Sequence, residues 1–529
     1  MKRMASMKWL STTLLSGALA ASLATPVAYG ETTVTAVMQA GLRVMDPVFS
    51  TAFLTRDHGY MIYDTLLGMD ENFEVQPQMA DWKVSDDDLR YTFTLRDDLR
   101  WHNGEPVTSA DCIASIKRWM SIDNTGLVLE EQVEEIVALS DQQFEIHLKQ
   151  PTGLLLSGLA KLSSRPAFMM PEDIAATPAT ESVKELIGSG PFVFEKDEFR
   201  PGIKVVYSKN EAYVPREEPA SWTAGGKQVN VDRVEWVTMP DAMTGINALQ
   251  NHEIDFLQQV PLDLIPVLEN DDSVVVDTID ELGNWTYFRF NHLYPPFDNK
   301  RLREAAMLAV DQSQVLKALT GSDEYSQLCA TTFGCGNKYE SDYRKDDVIK
   351  PNIEAAQAIL EEEDYDGTEV VVLHPTDMDT VSPQPLVIAD GLRKAGFNVK
   401  LKTMDWQSVV MQQSNQDAPE DGGWNIFATY ATLAASGDPF GNTTLAANGK
   451  KAWAGWPDVP EIEELRKTFA VTTDEDERRD IAYKINELAI DNGVVVPLGQ
   501  FTIPAAYSPA LSDVPHAPVT VFWSMKKSD

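Results

Sequence analysis

The segment YTFTLRDDLRWHNGEPVTSADCIASIKRWM, residues 91–120, combines a strand pattern, a turn and a capped helix. Polar residues alternate with Phe93 and Leu95 at its start, which is typical of a half-buried strand. The residues NGEP at 103–106 favour a turn. Thr108 can then cap a helix whose first turn carries Asp111. These patterns predict a structural strand and helix, with no chemical role for the segment.

Four segments carry a resemblance to a known family. In residues 91–120 a strand runs into W-H-x-G-x-P-x-T-S-A-D. The other three are GSGPF at 188–192 leading to YSKNEAY at 207–213, ALQNHEID at 248–255, and the stretch 290–311 with PPFDN, Arg301, Arg303 and Asp311. In this order they resemble the bacterial extracytoplasmic solute-binding proteins of the peptide, opine and nickel family. Looser similarity continues to about residue 500.

The resemblance implies an α/β fold, namely the two-lobed periplasmic-binding-protein (Venus-flytrap) fold of the large three-domain type, with mixed sheets flanked by helices. Lobe 1 is expected at 31–281 with an inserted subdomain at about 46–187, lobe 2 at 282–495, and a return to lobe 1 at 496–529. Crossings near 285–291 and 494–500 would form the hinge. Within lobe 2, residues 369–402 alternate as strand, helix and strand, which favours a parallel or mixed sheet.

Residues 1–30 are predicted to be a cleaved signal peptide. Lys2, Arg3 and Lys8 precede or begin an apolar run, and small residues follow it at 28–30. The run is too short for a confident membrane span, for which about twenty apolar residues are needed. No cysteine precedes Cys112, so no lipoprotein is expected. The expected location is the periplasm.

The chain is strongly acidic, with a formal net charge of −37. Removal of residues 1–30 with their three basic residues leaves 41 basic against 81 acidic residues, a charge of −40. This charge argues against nucleic acid as a partner. Acidic residues are spread along the chain, which favours a solvated surface.

Three cysteines are too few for a disulfide framework. Cys329 and Cys335 flank a glycine-containing loop and could close a small disulfide in an oxidising compartment. Metal binding by the pair is the alternative, but no third or fourth ligand lies nearby at zinc-like spacing. Cys112 is expected to be a buried small hydrophobic residue.

No common catalytic or nucleotide-binding motif occurs in the sequence. The residues GSG at 188–190 suggest a phosphate cradle, but a strand pattern follows them where a helix N-terminus would be required. Asp377 and Asp379 have the first spacing of a calcium loop, yet no glycine follows at the sixth position. The sequence therefore predicts no enzyme, no catalytic residue, no metal site and no cofactor. A secreted hydrolase with a dispersed site and a sensory binding protein remain as alternatives.

The resemblance implies a monomer that binds a solute between its lobes, closes by hinge bending and delivers the solute to a membrane permease driven by an ATPase. Aromatic residues at the hinge and rim, an early loop residue and two loop acids are the candidate ligand contacts: Thr51, Phe53, Trp285, Asp377, Asp379, Trp406 and Tyr430.

The charge pattern of a dipeptide site is missing. The family's dipeptide binders place an aspartate in the region of residues 430–436 and an arginine in the region of 374–380, and this chain has neither. Asp377 and Asp379 could instead hold a cationic group beside an aromatic face, or they could be solvent-facing turn residues. The expected solute is a peptide or an amine-bearing, peptide-like or opine-like compound.

Overall fold

The computed structural model describes residues 31–239, 241–268 and 271–528. The predicted signal peptide lies outside these residues. Within them, no helix combines the length and the apolar character that crossing a membrane requires.

The first half of the chain forms two sheets and one hairpin. Its elements are β1 (Thr33–Val37), α1 (Phe53–Ile62), β2 (Leu67–Met69), β3 (Val75–Pro77), β4 (Ala80–Val84), β5 (Arg90–Leu95), α2 (Ser109–Met120), α3 (Asn124–Gln132), β6 (Val133–Ser140), β7 (Gln143–Leu148), α4 (Leu155–Leu159), α5 (Glu172–Ala175), β8 (Phe192–Phe194), β9 (Lys204–Lys209), β10 (Arg233–Val237), α6 (Ala242–Gln250), β11 (Phe256–Leu257), α7 (Ile265–Leu268) and β12 (Val275–Asp277).

The second half forms another sheet and then returns to the first. Its elements are β13 (Asn284–Phe290), α8 (Lys300–Leu308), α9 (Gln312–Thr320), β14 (Ser326–Gln327), α10 (Lys345–Ile349), α11 (Ile353–Glu362), β15 (Val370–Pro375), α12 (Pro383–Ala395), β16 (Val399–Met404), α13 (Trp406–Gln413), β17 (Ile426–Thr432), α14 (Leu433–Ser436), α15 (Pro460–Val471), α16 (Glu475–Asp491), β18 (Val496–Phe501), β19 (Ala505–Tyr507), β20 (Leu511–Ser512) and β21 (Lys526–Lys527).

Three sheets define three structural parts. The lobe 1 sheet has the order β12-β19-β11-β1-β10-β9-β8, the inserted subdomain has β4-β5-β7-β6, and lobe 2 has β14-β18-β13-β17-β15-β16. Strand β1 runs parallel to β10 and β11, and β15 runs parallel to β16 and β17. The remaining pairs of the lobe sheets are antiparallel. The predicted mixed α/β fold class is confirmed, as is the strand-helix-strand unit β15-α12-β16.

The segment 91–120 forms the predicted strand, turn and helix. In β5, Phe93 and Leu95 are buried. Thr108 caps α2 in a capping box with Asp111, whose carboxylate accepts a hydrogen bond from the Thr108 amide. A capping box satisfies amide groups that a helix N-terminus otherwise leaves unpaired.

His102 joins two of the family segments. Its amide donates to the Gly188 carbonyl at 2.8 Å, and its Nδ1 accepts from the Gly188 amide at 3.3 Å. Nε2 lies 3.3 Å from the Gly190 carbonyl and therefore carries the ring proton. Residues 188–190 thus lead into the strand β8, as the sequence pattern predicts, and not into a helix N-terminus that could form a phosphate cradle.

The chain passes between the lobes outside the segments that the sequence indicated. Segments 285–291 and 494–500 fall largely within β13 and β18, which pair with each other in the lobe 2 sheet. The connections are instead residues 278–283, before β13, and 502–504, after β18. The residues that join the two sheets are therefore those of these two connections, and a hinge at either crossing remains a prediction.

The inserted subdomain and lobe 2 share one hydrophobic core. Phe93, Trp119 and Phe144 of the subdomain belong to the same buried cluster as Leu433 and Phe469 of lobe 2. The parts are also joined by hydrogen bonds from the Thr152 hydroxyl and the Gly153 amide to the Ala470 carbonyl, at 2.7 and 3.1 Å. The structure therefore has the subdomain seated against lobe 2.

Candidate solute-binding cleft

The larger of two neighbouring cavities lies between the inserted subdomain and lobe 2 and has a volume of about 340 Å³. The subdomain contributes the hairpin β2-β3, the strand β4 and the segment 154–163. Lobe 2 contributes residues 337–339, the α14 region 433–441, and Glu475 and Arg478 of α16. This volume falls in the range of about 300–1,000 Å³ that small-molecule sites occupy.

Most of the wall of this larger cavity is apolar. Its apolar lining residues are Met69, Phe73, Val75, Trp82, Leu154, Leu156, Leu162, Leu433, Ala434 and Ala435. Burial of an apolar group against such a wall is favourable by about 25 cal/mol per Å². The larger cavity is therefore suited to the apolar part of a solute.

The cations that border the larger cavity already have partners. Lys161 pairs with Asp123 at 2.7 Å and Lys338 with Glu475 at 3.0 Å. Arg478 lies over the Phe469 ring at 4.0 Å and donates to the carbonyls of Phe469 and Thr472. Arg478 thus holds the end of α15, while the charges of Lys161 and Lys338 are paired with carboxylates.

A disulfide stands behind one wall of the larger cavity. Cys329 and Cys335 are bonded to each other in the structure. Gln312 accepts from the Cys329 amide and donates to its carbonyl, and Gln500 holds the Cys335 amide and carbonyl in the same way. The chain then continues directly into the wall residues 337–339.

Cys112, the free cysteine, is buried. Among the described residues, no group of three or more His, Cys, Asp or Glu side chains is arranged to hold a metal ion.

The smaller cavity, about 80 Å³, lies between lobe 1 and lobe 2 beside both connections. Its lining is more polar: Gln39, Phe53, Arg56, Gln258, Gln259, Ile279, Asp280, Gly283, Asn284, Tyr430, Thr432, Ile503 and 517–520. Arg56 also donates to the Ser163 hydroxyl at 3.1 Å, and Ser163 lines the larger cavity. The two cavities are therefore neighbours, with Arg56 and Ser163 between them.

Two carboxylates and one guanidinium define the charge of the smaller cavity. Arg56 donates from Nε and Nη2 to Oδ1 of Asp57, at 2.9 and 2.7 Å. Asp280 accepts from the Gly283 amide at 2.9 Å, and among the described residues no cation forms an ion pair with it. Burial raises the pKa of Asp280, and the backbone amides and the nearby charge of Arg56 offset only part of that rise.

Of the seven candidate ligand residues, two line a cavity. Phe53 and Tyr430 lie in the wall of the smaller cavity. Phe53 also covers the Arg56 guanidinium at 5.2 Å, and Tyr430 packs against Phe501 at 5.4 Å and hydrogen-bonds Thr380.

The other five candidates line neither cavity. Trp285 is fully buried and stacks on Tyr287 with ring centroids 4.4 Å apart. Trp406 is half-buried at the edge of a lobe 2 cluster. Thr51, Asp377 and Asp379 are exposed, and Asp377 accepts a hydrogen bond from the Trp406 amide at 2.7 Å. A contact of these residues with solute remains a prediction.

Sequence reasoning missed Arg56, Asp280, Phe73 and Trp82. The Asp-Glu pair at 280–281 is followed by Leu282, Gly283 and a strand, and it would have been noticed had the first connection been assigned to 278–283. Phe73 and Trp82 gave no comparable signal, because a hairpin tip and an edge strand commonly expose single aromatic residues.

Comparison with known proteins gave consistent matches. The family model "Bacterial extracellular solute-binding proteins, family 5 Middle" matches residues 74–453. The "Probable peptide ABC transporter periplasmic-binding protein y4tO" of Sinorhizobium fredii is 40% identical over 492 residues, which cover 92% of each chain. The dipeptide-binding protein DppE of Bacillus subtilis is 25% identical over 83% of this chain and 81% of its own.

Solved structures show the same fold at low sequence identity. The ABC transporter substrate-binding protein CtaP of Listeria monocytogenes has a TM-score of 0.79 at 20% identity, over 94% of this chain and 99% of its own. AgaA of A. tumefaciens, solved with agropinic acid, has a TM-score of 0.74 at 20% identity over the same shares.

Proposed function

Because the chain belongs to family 5 of the bacterial extracellular solute-binding proteins, we propose that it is the periplasmic solute-binding component of an ABC importer. Its solute is a peptide or an amine-bearing, peptide-like compound, captured between lobe 2 and the rest of the protein. The observation that carries this proposal is the larger cavity of about 340 Å³. The family's transport role and the relative y4tO, named as a probable peptide ABC transporter periplasmic-binding protein, support it.

The cleft suits capture by closure. A solute in the larger cavity would be contacted by the subdomain on one side and by lobe 2 on the other. A solute that binds the closed form more tightly shifts the population toward it. The closed form would then be the one delivered to the permease and its ATPase.

The remaining parts of the proposal concern location and partners. The protein would act in the periplasm after removal of residues 1–30, as a monomer, and without turnover of its solute. Its charge of −40 after that removal disfavours nucleic acid as a partner. A sensory role would use the same cleft, so a permease and ATPase encoded beside the gene would favour import.

We expect a thermal-melt screen of residues 31–529 to find a stabilising solute among di- to hexapeptides, opines and polyamines. A solute at one hundred times its dissociation constant adds about 2.7 kcal/mol to the free energy of unfolding. Mass spectrometry of the recovered solute should find it unchanged. Consumption of the solute would favour the hydrolase, and no shift together with an empty purified protein would contradict the proposal.

Ala435→Trp is the variant that tests whether the stabilising solute binds in the larger cavity. Ala435 is half-buried in the wall of the larger cavity, so an indole there fills the space that the solute requires. The variant should melt within a few degrees of the solute-free protein and should no longer respond to the stabilising solute. A full response would place the solute elsewhere.

A further inference from the structure

The charges beside the smaller cavity do not balance. Asp57 is fully buried, and both of its carboxylate oxygens have hydrogen-bond partners. Oδ1 accepts two hydrogen bonds from Arg56, and Oδ2 accepts from Gln258 Nε2 at 3.2 Å. Arg56 therefore makes its ion pair with Asp57, and it acts on Asp280 only as a nearby charge, without a hydrogen bond to it. Asp280 is the second carboxylate, and its only described hydrogen-bond donors are backbone amides at the connection between the lobes. The group of three carries a net charge of −1.

A carboxylate in this position is costly without a cation. Desolvation penalises the ionised form, and backbone amides compensate only part of that penalty. A solute with one positive charge would restore the balance when the lobes close over it. Because Asp280 lies on lobe 1's side of a cavity that Tyr430 and Thr432 of lobe 2 complete, the contact would form between the lobes.

We infer that Asp280 receives the cationic nitrogen of the solute, while the apolar remainder of the solute occupies the larger cavity. This inference rests on the proposed function and narrows it. The preferred solutes are primary amines with an apolar body, such as peptides with a free N-terminus and bulky apolar side chains.

The arrangement of the cavities allows one solute to reach both. Thr432 lines the smaller cavity and Leu433, its neighbour in the chain, lines the larger one. The hydrogen bond from Arg56 to Ser163 likewise joins a residue of the smaller cavity to a residue of the larger one. A charged end at Asp280 and an apolar group against Leu433 and Ala434 therefore lie within the span of a short peptide.

Asp280 is better placed for this contact than Asp377 or Asp379. The loop acids are exposed and line neither cavity, whereas Asp280 lines the smaller one. The Tyr430–Thr380 hydrogen bond brings their loop to the rim of that cavity, so Asp379→Asn is the variant that separates the two assignments.

The test is calorimetric titration of residues 31–529 with trileucine and with N-acetyltrileucine, which lacks the ammonium group. The wild-type protein should bind trileucine about tenfold or more tightly than the acetylated peptide, since hydrogen bonds to charged groups contribute at this level. Asp280→Asn should remove this preference by weakening trileucine about tenfold. Asp272→Asn, at an exposed carboxylate outside both cavities, makes the same charge change and should alter neither affinity.

The outcomes separate this inference from the proposed function. Equal binding of both peptides by the wild-type protein, or unchanged binding by Asp280→Asn, overturns the role of Asp280 and leaves a peptide-binding protein. Loss of binding in Asp379→Asn alone also overturns it. No binding of either peptide overturns the narrowed solute class, and the wider screen then decides the proposed function. Should Asp280→Asn fold poorly, Asp280→Ser supplies a second uncharged variant for the same comparison.

Discussion

Lys227→Met is expected to lower the free energy of unfolding by about 3–5 kcal/mol, because it leaves a buried carboxylate without its cation. Lys227 is 0% exposed and donates from Nζ to Oδ1 of Asp64, which is 1% exposed, at 2.7 Å. Asp64 also accepts from the Tyr213 hydroxyl at 2.8 Å. Methionine preserves the apolar length of the side chain against Trp523, over whose ring Nζ lies at 4.9 Å. Urea denaturation would measure the loss.

Lys394→Met is the matched control, because it makes the same substitution in an exposed ion pair. Lys394 and Asp390 lie one helical turn apart with N and O atoms 2.6 Å from each other, and their side chains are 57% and 58% exposed. Exposed pairs contribute about 0–1 kcal/mol. A loss below 1 kcal/mol at Lys227 would show that Asp64 finds compensation elsewhere.

The free energy of unfolding should fall by about 4 kcal/mol between pH 7 and pH 5 from two buried histidines alone. Burial lowers the pKa of His58 to about 3 and that of His102 to about 4, from 6.5. Below pH 6.5 the unfolded chain binds protons that the folded protein excludes, so stability is lost as the pH falls. Burial also lowers the pKa of His292, which adds to the loss.

Two carboxyl groups act in the opposite direction. Burial raises the pKa of Asp57 and of Asp280 above 3.8. The folded protein therefore binds protons at these groups before the unfolded chain does, and this offsets part of the loss once they protonate. The contribution of the histidines begins just below pH 6.5, where the imidazoles of the unfolded chain titrate.

Denaturation curves at several pH values would assign the slope. His58→Phe keeps a ring against Phe194 and Tyr207. It should lower by one the number of protons that the protein takes up on unfolding below pH 6.5. His147→Gln should not reduce it, because the hydrogen bond to Glu145 raises the pKa of His147. An unchanged slope in His58→Phe would contradict the assignment.

The sequence predicted the local elements well, because local chemistry decides them. Thr108 and Asp111 form the expected capping box, and the apolar run 370–373 forms the buried strand β15. The family resemblance, carried by segments such as the two that hydrogen-bond to each other at His102 and Gly188, is confirmed by the family model over residues 74–453.

The cleft could not be predicted in the same way, because it is created by packing between parts of the chain. Asp280 and Arg56 meet across more than two hundred residues of sequence, and no periodicity relates them. Trp285 shows the opposite case. Its position next to the connection suggests a ligand contact, but its indole packs in the core against Tyr287. Which aromatic residues remain at a cavity depends on the final packing.

The order of strands in the lobe 1 sheet sets the order in which the protein can be completed. Strand β19, near the end of the chain, lies between β12 and β11 and pairs with both. All strands of the lobe 2 sheet come from the continuous segment 284–501. During synthesis lobe 2 can therefore assemble before residues 505–507 emerge, whereas the sheet that begins the chain must wait for them. Lobe 1 is the first part to be made and the last to be finished.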